Sequence, residues 1–246
     1  MVYEEKFKVR GYSLDENCYA RPLAIMGYMQ DAAALHCIPL HLTGPELQAE
    51  GITWVITNFT IEYYYYPYWS EELKVETWAK DNSGFRTRRD YLITTMAGRL
   101  AAAGASCWSL LDMNTRKPVP VAYLGERLQY HGDKAAFDNW KPEKIVFEED
   151  GDIFTGDFQA CYYDLDFNNH LNNLKYMEWA MNTVPAEYQR ENVLSRWSVQ
   201  FLDEVFLGDK ITVKTVRKGD LFHHSLINKE NGRTCCRASG EWKKKN

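Results

Sequence analysis

The chain has 246 residues, of which 45% are hydrophobic and 14% aromatic, a composition typical of a globular protein rather than a disordered one. Its formal net charge of −5 argues against general nucleic-acid binding, and no apolar run approaches the ~18 residues that a membrane-spanning helix needs. The N-terminus has no apolar h-region, which predicts a chain without a signal peptide, and the scattered spacing of its six cysteines predicts reduced thiols in the cytoplasm.

The first half of the chain is predicted to form one strand, one helix and a series of strands. Residues 7–14 alternate weakly between polar and apolar side chains, as a strand does. Pro22 begins a helix that ends near Cys37 and is apolar on nearly all sides, a pattern typical of a helix wrapped by other structure. Thr43-Gly44-Pro45 predicts a loop over residues 38–51. Runs of β-branched and aromatic residues then predict strands at 52–66, 73–80, 85–95 and 100–112.

The second half repeats this plan after a segment rich in Pro, Lys and Glu. We predict an N-terminal domain at residues 1–125, a linker at 126–150 and a C-terminal domain at 151–246. In the C-terminal domain a helix is predicted from His170 to about Asn182. The strands of this domain are predicted near 153–162, 196–206, 210–217, 222–228 and 234–242.

Matching residues recur in the two halves. Three short segments of the first half recur in the second half 134 positions later. Leu92-Ile93 matches Leu226-Ile227, Gly98-Arg99 matches Gly232-Arg233, and Trp108 matches Trp242. Before the helices, Asp15-x-Asn17 parallels Asp166-x-Asn168, but Tyr19 stands where the second half has His170. This pattern is typical of a duplicated module in which one copy has lost its imidazole. It predicts that the chemistry lies in the second half.

Each half therefore combines one long helix with antiparallel strands, which is an α+β arrangement in which the sheet must cover the helix. Two such units could pair their sheets edge to edge into one curved sheet. The predicted fold is a double hotdog, that is, two tandem units of a helix wrapped by an antiparallel sheet.

The stretch Cys161–Trp179 contains the candidate site. Asn168 and Asn169 stand where a helix N-cap is predicted, so Asp166, Asn168 and His170 are expected to cluster at a helix N-terminus. The positive end of the helix dipole there favours developing negative charge. A carboxylate, an amide and an imidazole in this setting indicate hydrolysis of an activated carbonyl. The alternative is an ordinary polar helix cap, and this stretch alone leaves both interpretations open.

A series of motifs follows one another in order along the chain. In the second half the motif runs Leu165-Asp166-Phe167-Asn168-Asn169-His170-Leu171-Asn172-Asn173, followed by Tyr176 and Trp179. In the first half the motifs are Ile61-Glu62, Tyr66-Pro67, Trp69-Ser70, Glu76-Thr77-Trp78, Arg88-Arg89-Asp90-Tyr91 and Ser106-Cys107-Trp108. With these motifs the chain resembles the acyl-acyl carrier protein thioesterases of plants and bacteria over most of its length.

The resemblance implies hydrolysis of the thioester of fatty acyl-acyl carrier protein, which releases free fatty acid and ends chain elongation. It assigns the catalytic roles to Asp166, Asn168, His170 and Glu191. Glu191 is included because Tyr188-Gln189-Arg190-Glu191-Asn192 matches the family's Tyr-Arg-Arg-Glu-Cys, although Asn192 replaces the Cys. An amide cannot attack a thioester as a thiolate does, and Cys161 is interpreted as a structural thiol, so we expect no acyl-cysteine intermediate.

The expected partners are the fatty acyl chain and an acidic acyl carrier protein, and neither a cofactor nor a metal ion is expected. The first half is expected to hold the acyl chain. The candidate carrier-binding residues are Arg86, Arg88, Arg89, Arg116 and Lys117, for which a solvated charged face is the alternative. The sequence leaves the oligomeric state open, with a homodimer among the alternatives. It also leaves open three other functions: an acyl-CoA thioesterase, a dehydratase of carrier-bound hydroxyacyl groups and a non-catalytic acyl-binding protein.

Overall fold

The computed structural model describes residues Met1–Lys245 and divides the chain into two compact units, Met1–Pro142 and Glu143–Asn246. Both units are antiparallel sheets that carry one longer helix, so the α+β class is confirmed. Between Met1 and Lys245 no helix is long and apolar enough to cross a bilayer.

The first unit contains two helices and six strands. The helices are α1 (Pro22–Cys37) and α2 (Gly44–Ala49), and the strands are β1 (Tyr3–Lys8), β2 (Ile52–Tyr63), β3 (Glu72–Asn82), β4 (Arg86–Thr95), β5 (Leu100–Asp112) and β6 (Pro118–Val119). The strands lie in the order β1-β3-β4-β5-β2, all antiparallel, and β6 pairs with β5.

Helix α1 packs into the core of the first unit, as its largely apolar sequence predicted. Ile25, Met26 and Met29 are fully buried. Met29 packs directly over β5, where Gly104 leaves room for it. A Cβ atom at position 104 would lie 2.8 Å from the Met29 sulfur, so a larger residue would force the Met29 side chain to move.

Helix α2 lies in the segment 38–51, for which Thr43-Gly44-Pro45 predicts a loop, so that prediction is wrong for Gly44–Ala49. In the structure Thr43 is the N-cap, and the Glu46 carboxylate accepts hydrogen bonds from the Thr43 N–H at 3.0 Å and from its hydroxyl at 2.6 Å. This is a capping arrangement, and Pro45 fits the first turn because that turn needs no N–H from it.

The second unit contains two helices and five strands. The helices are α3 (Asn173–Asn182) and α4 (Ala186–Glu191), and the strands are β7 (Asp152–Gln159), β8 (Asn192–Phe201), β9 (Lys210–Lys218), β10 (Leu221–Asn228) and β11 (Thr234–Lys244). The order is β8-β11-β10-β9-β7, again antiparallel throughout. Helix α3 buries Tyr176, Met177, Trp179 and Ala180. Strand β8 starts earlier than predicted because α4 leads directly into it, and it ends at Phe201 rather than near residue 206.

Much of the segment expected to be a linker is part of the first unit. Within this segment Leu128 is buried in a hydrophobic cluster with Leu47 and Leu110, and with Val121 and Leu124 of the predicted N-terminal domain. Further along, the backbone N–H of Ala136 donates to the Asp90 carboxylate at 2.8 Å, and the Trp78 indole donates to the carbonyl of Lys134 at 3.0 Å. The boundary accordingly falls after Pro142.

The internal repeat is visible in the strand registers, with one adjustment. Leu226 pairs with Cys236 immediately before a bulge, and Ile93 pairs with Ala102 at the same point of the first unit. The counterpart of Leu226 is therefore Ile93 and not Leu92 as the sequence match suggested. The separation of 134 positions holds after the hairpin turn but not before it, because the turn of the second unit is one residue longer.

Candidate active site

The candidate site is built on the loop between the short 3-10 helix Tyr162–Asp164 and helix α3. Asp166 closes this loop. Its Oδ1 accepts the backbone N–H of Asn168 at 2.8 Å and that of His170 at 3.3 Å, and its own N–H donates to the His170 carbonyl at 2.8 Å. Between these two residues, Asn169 has the left-handed backbone (φ 60°) that Asn adopts more readily than most residues.

His170 faces a carboxylate. Its Nδ1 lies 3.6 Å from Glu204 Oε1, and the two side chains are 28 and 30% exposed. Phe206 packs edge-on against the imidazole, with 5.0 Å between ring centroids. The Leu171 N–H donates to the Val205 carbonyl at 2.8 Å, which ties the Glu204 segment to the loop. With Nδ1 directed at Glu204, the other ring nitrogen, Nε2, lies on the opposite side of the imidazole.

The helix begins later than predicted. The N-cap of α3 is Asn172, whose Oδ1 accepts the N–H of Leu174 at 2.9 Å. The prediction that Asn168 and Asn169 cap the helix is therefore wrong. Asp166 binds the N–H groups of this segment into a loop of its own, so the helix starts only at Asn173. The Asn168 side chain lies beside the Asp166 carboxylate, with Nδ2 3.5 Å from Oδ2.

The first unit contains a second copy of this loop. Asp15 Oδ1 accepts the N–H of Asn17 at 2.9 Å and that of Tyr19 at 3.0 Å, and Cys18 between them has φ 64°. Tyr19 packs edge-on against Tyr68 at 5.3 Å, as His170 does against Phe206. The prediction of a duplicated loop that kept its imidazole in one copy is confirmed.

The bond that ties Glu204 to its loop also has a counterpart. The Ala20 N–H donates to the Pro67 carbonyl at 2.8 Å, as Leu171 donates to Val205. Glu204 immediately precedes Val205, and Tyr66 immediately precedes Pro67. Tyr66 therefore occupies the position of Glu204. The first unit keeps the loop but has no imidazole at the position of His170 and no carboxylate at the position of Glu204.

Comparison with known families agrees with this duplicated arrangement. The profile of the acyl-ACP thioesterase N-terminal domain matches residues 1–123, and that of the acyl-ACP thioesterase C-terminal domain matches residues 148–244. The chain belongs to the acyl-ACP thioesterase family.

Among curated members of the family, the chloroplastic acyl-acyl-carrier-protein hydrolase FATB3 of Cuphea viscosissima is 26% identical over 99% of this chain. The chloroplastic dodecanoyl-acyl-carrier-protein hydrolase of Cinnamomum camphora is 24% identical over 100% of it. This chain spans 63% of the length of the first relative and 68% of the second.

Solved structures show the same fold. The 12:0-ACP thioesterase of Umbellularia californica has a TM-score of 0.88 at 23% identity and covers 99% of this chain and 98% of its own. An acyl-ACP thioesterase of Bacteroides thetaiotaomicron has a TM-score of 0.80 at 21% identity and covers 98% of both chains. The predicted hotdog fold is confirmed.

Glu191, which the family motif singled out, is not brought to His170. It is the last residue of α4, its side chain is 68% exposed, and it pairs with Lys244 at 2.8 Å. Strand β8 begins at the next residue and runs for ten residues before the segment that carries Glu204. At about 3.3 Å per residue, Glu191 and Glu204 are separated by roughly 30 Å along the strand.

Sequence reasoning missed Glu204, although a signal for it exists. The family motif places an aromatic residue three positions before its Glu, and downstream of His170 this spacing occurs twice. Tyr188 precedes Glu191 by three residues, and Phe201 precedes Glu204 by three residues. The sequence match favoured the first because the neighbouring Arg190 also fits, but only the second lies next to His170.

Two of the five candidate carrier-binding residues are not on the surface. Arg88 is buried and forms a salt bridge with Asp90 at 2.6 Å. Arg89 is buried on the opposite face of β4, with Nη1 3.0 Å from His36 Nδ1. Burial, reinforced by this guanidinium, lowers the pKa of His36 to about 3, so the imidazole is neutral and accepts the bond. The expectation that Arg88 and Arg89 present charge to a carrier is therefore wrong.

The remaining candidates for carrier binding, Arg86, Arg116 and Lys117, are exposed. Between Met1 and Lys245, no group of three or more His, Cys, Asp or Glu side chains is placed to hold a metal ion.

Proposed function

We propose that the protein hydrolyses the thioester of a fatty acyl-acyl carrier protein. Water adds to the thioester carbonyl, the carbon–sulfur bond breaks, and the products are a free fatty acid and the carrier thiol. The observation that carries the proposal is the contact between His170 and Glu204. These two groups occur in only one of two loops that otherwise share their hydrogen bonds. Family membership and the names of the relatives, which are acyl-acyl-carrier-protein hydrolases, support the choice of substrate.

In the proposed reaction His170 is the general base. Its Nε2 takes a proton from the attacking water, and the imidazolium that forms is stabilised by the Glu204 carboxylate beside Nδ1. The same nitrogen then returns the proton to the thiolate as it leaves, so the enzyme ends the cycle in its starting protonation state. A positioned general base contributes typically about 10²–10⁴-fold to the rate. Glu204 takes the role that the resemblance assigned to Glu191.

We assign to Asn168 the task of binding the thioester carbonyl and the oxyanion that develops from it, where one donor is commonly worth about 10²–10³ in rate. Asp166 is the fourth residue of the proposed site, where its carboxylate accepts the backbone N–H groups of Asn168 and His170. No cysteine takes part in the proposed reaction: Cys161 is exposed, and its thiol lies 3.5 Å from the Gln159 carbonyl at the end of β7, so it is engaged with the backbone.

The acyl chain is proposed to bind in the first unit, and the exposed Arg86, Arg116 and Lys117 are proposed to attract an acidic carrier. A reducing compartment suits the six free cysteines, and the cytoplasm is the location we propose. A homodimer stays a prediction.

The test is release of free thiol from acyl-acyl carrier protein by the purified protein, with His170→Ala as the matched variant. Hydrolysis predicts thiol release that His170→Ala loses. A dehydratase would convert hydroxyacyl carrier to the enoyl form without thiol release, and a binding protein would turn over neither substrate. Acyl-CoA assayed in parallel distinguishes a carrier thioesterase from a CoA thioesterase, because only the former should favour the carrier.

A further inference from the structure

Arg89 places a positive charge inside the first unit. The residue is only 7% exposed and projects from β4 toward helix α1. Its Nη1 lies 3.0 Å from His36 Nδ1 and donates to the Thr77 hydroxyl oxygen at 3.2 Å. His36 is neutral because its pKa lies near 3, and the Thr77 hydroxyl donates its own proton to the Asp90 carbonyl at 3.0 Å. These contacts hold the Nη1 end of the guanidinium, but none of them supplies a negative charge.

The neighbouring Arg88 shows what Arg89 lacks. Arg88 Nε and Nη2 donate to the two carboxylate oxygens of Asp90 at 2.6 and 2.8 Å, in the bidentate geometry that a guanidinium offers to a carboxylate. On Arg89 the same two nitrogens have no hydrogen-bond acceptor, and no carboxylate pairs with this guanidinium, anywhere in Met1–Lys245. Because a guanidinium does not lose its proton in a protein, burying one without a counter-charge costs folding free energy.

The second unit shows that packing at this position does not require a charge. Arg89 pairs with Ser106 of β5, and Phe222 pairs with Gly240 of β11 at the corresponding register of the second unit. Phe222 is fully buried and packs against Trp242, with 6.0 Å between ring centroids. An apolar side chain therefore suits this side of the sheet, and the buried charge is specific to the first unit.

We propose that Arg89 binds the carboxylate of a ligand in the interior of the first unit. The proposal rests on the function proposed above, in which the acyl chain binds in this unit. The unpaired Nε and Nη2 match the two oxygens of a carboxylate, as they do in the pair of Arg88 with Asp90. The cross-strand neighbours of Arg89 are Ala79 and Ser106, and neither side chain is long enough to cover the guanidinium.

Two sources have this chemistry. One is an acyl chain that carries a second carboxyl group at its far end, and the other is free fatty acid bound as a product. In either case the bound carboxylate supplies the counter-charge that the chain itself does not place beside Arg89.

The test compares dodecanoate with dodecanol, which have the same chain length, by titration calorimetry on the purified protein at neutral pH. The wild type should bind dodecanoate about 10–100-fold more tightly, which is the worth of hydrogen bonds between charged groups. Arg89→Met should bind both ligands equally, and Arg89→Lys, which keeps the charge but not the planar pair of N–H groups, should retain part of the preference. Lys74→Met is the matched control, because it removes a positive charge from the outer face of the adjacent strand β3 and should leave the preference unchanged.

Hydrolysis distinguishes the two sources. If the acyl chain supplies the carboxylate, the wild type should release thiol faster from an ω-carboxyacyl carrier than from the unsubstituted acyl carrier of the same length, and Arg89→Met should lose that preference. If the product supplies it, the unsubstituted carrier should be the better substrate, and free dodecanoate should inhibit the wild type more strongly than Arg89→Met.

Equal binding of dodecanoate and dodecanol by the wild type would overturn the proposal, since water alone would then solvate the guanidinium. A preference for dodecanoate that survived in folded Arg89→Met would also overturn it, because the carboxylate would bind elsewhere. Should Arg89→Met fail to fold, an undiminished preference in Arg89→Lys would have the same meaning. Failure of the proposed function looks different: the wild type would release no thiol from either carrier, while the binding comparison would still decide whether Arg89 holds a carboxylate.

Discussion

The contact between His170 and Glu204 leads to a prediction whose size can be worked from the structure. Glu204→Gln keeps the length of the side chain but removes the charge that stabilises the imidazolium. At the observed 3.6 Å, two unit charges attract by about 1 kcal/mol in bulk water and about 5 kcal/mol at the effective dielectric typical of a protein surface. Each 1.36 kcal/mol corresponds to a factor of ten in rate. Because both side chains are about 30% exposed, we expect kcat to fall by roughly one to three orders of magnitude.

The assay is steady-state thiol release from acyl-acyl carrier protein, with the fold of each variant checked by circular dichroism. Glu191→Gln is the matched control, because it makes the same change at the Glu that the sequence match favoured. It should retain wild-type turnover, since Glu191 pairs with Lys244 at the far end of β8. Placing Glu204→Gln in the His170→Ala background should cause little further loss, because the two residues act as a unit. Wild-type turnover in Glu204→Gln, or a large loss in Glu191→Gln, would refute the reasoning.

Three further predictions concern the acyl chain, the carrier and stability. Met29 packs against Gly104, and Met29→Ala should shift the product profile toward longer fatty acids. The same change should lower the free energy of unfolding by about 2–5 kcal/mol. An unchanged profile would place the acyl pocket elsewhere. Charge reversal at Arg86, Arg116 and Lys117 should lower kcat/KM on carrier substrates. Added salt should lower kcat/KM of the wild type in the same way, because the Debye length falls from about 10 Å at 0.1 M to about 3 Å at 1 M. If neither charge reversal nor salt changed kcat/KM, these residues would be excluded as the carrier-binding surface. Burial lowers the pKa of His224 to about 3, so between about pH 6.5 and 3 the unfolded chain binds a proton that the folded protein does not. His224 should therefore lower the free energy of unfolding by about 1.4 kcal/mol per pH unit on acidification in this window. His36, whose pKa burial also lowers to about 3, should add a similar amount, so His224→Asn should roughly halve the slope.

Several features of this protein were determined by the sequence alone, because they depend on local chemistry. Helix α1 buries Ile25, Met26 and Met29, as its largely apolar sequence predicts, while Asp31 and Ala34 on its other side are exposed. The duplicated loops are readable because an Asp followed by an Asn two residues later binds its own backbone wherever it stands in the chain. The identity of the imidazole at His170, and its absence at Tyr19, follows from the same comparison.

The partner of that imidazole was decided only by the tertiary structure. Both Glu191 and Glu204 follow an aromatic residue by three positions, and their distance along the chain from His170 does not determine their distance in space. The ten residues of β8 carry one of them roughly 30 Å from the other. After β8 the chain comes back to the loop, where the Leu171 N–H donates to the Val205 carbonyl. This bond holds the neighbouring Glu204, and not Glu191, beside His170.

The fate of the arginines was decided in the same way. Alternation along β4 places Arg88 and Arg89 on opposite faces, and a sequence does not state whether a face is covered. Here one face meets helix α1, where Arg89 bonds to His36. The other lies under the segment around Phe137, whose carbonyl accepts from Arg88 at 2.8 Å. Both arginine side chains are buried because segments distant in the sequence cover each face of β4. The local sequence pattern does not indicate which segments pack there.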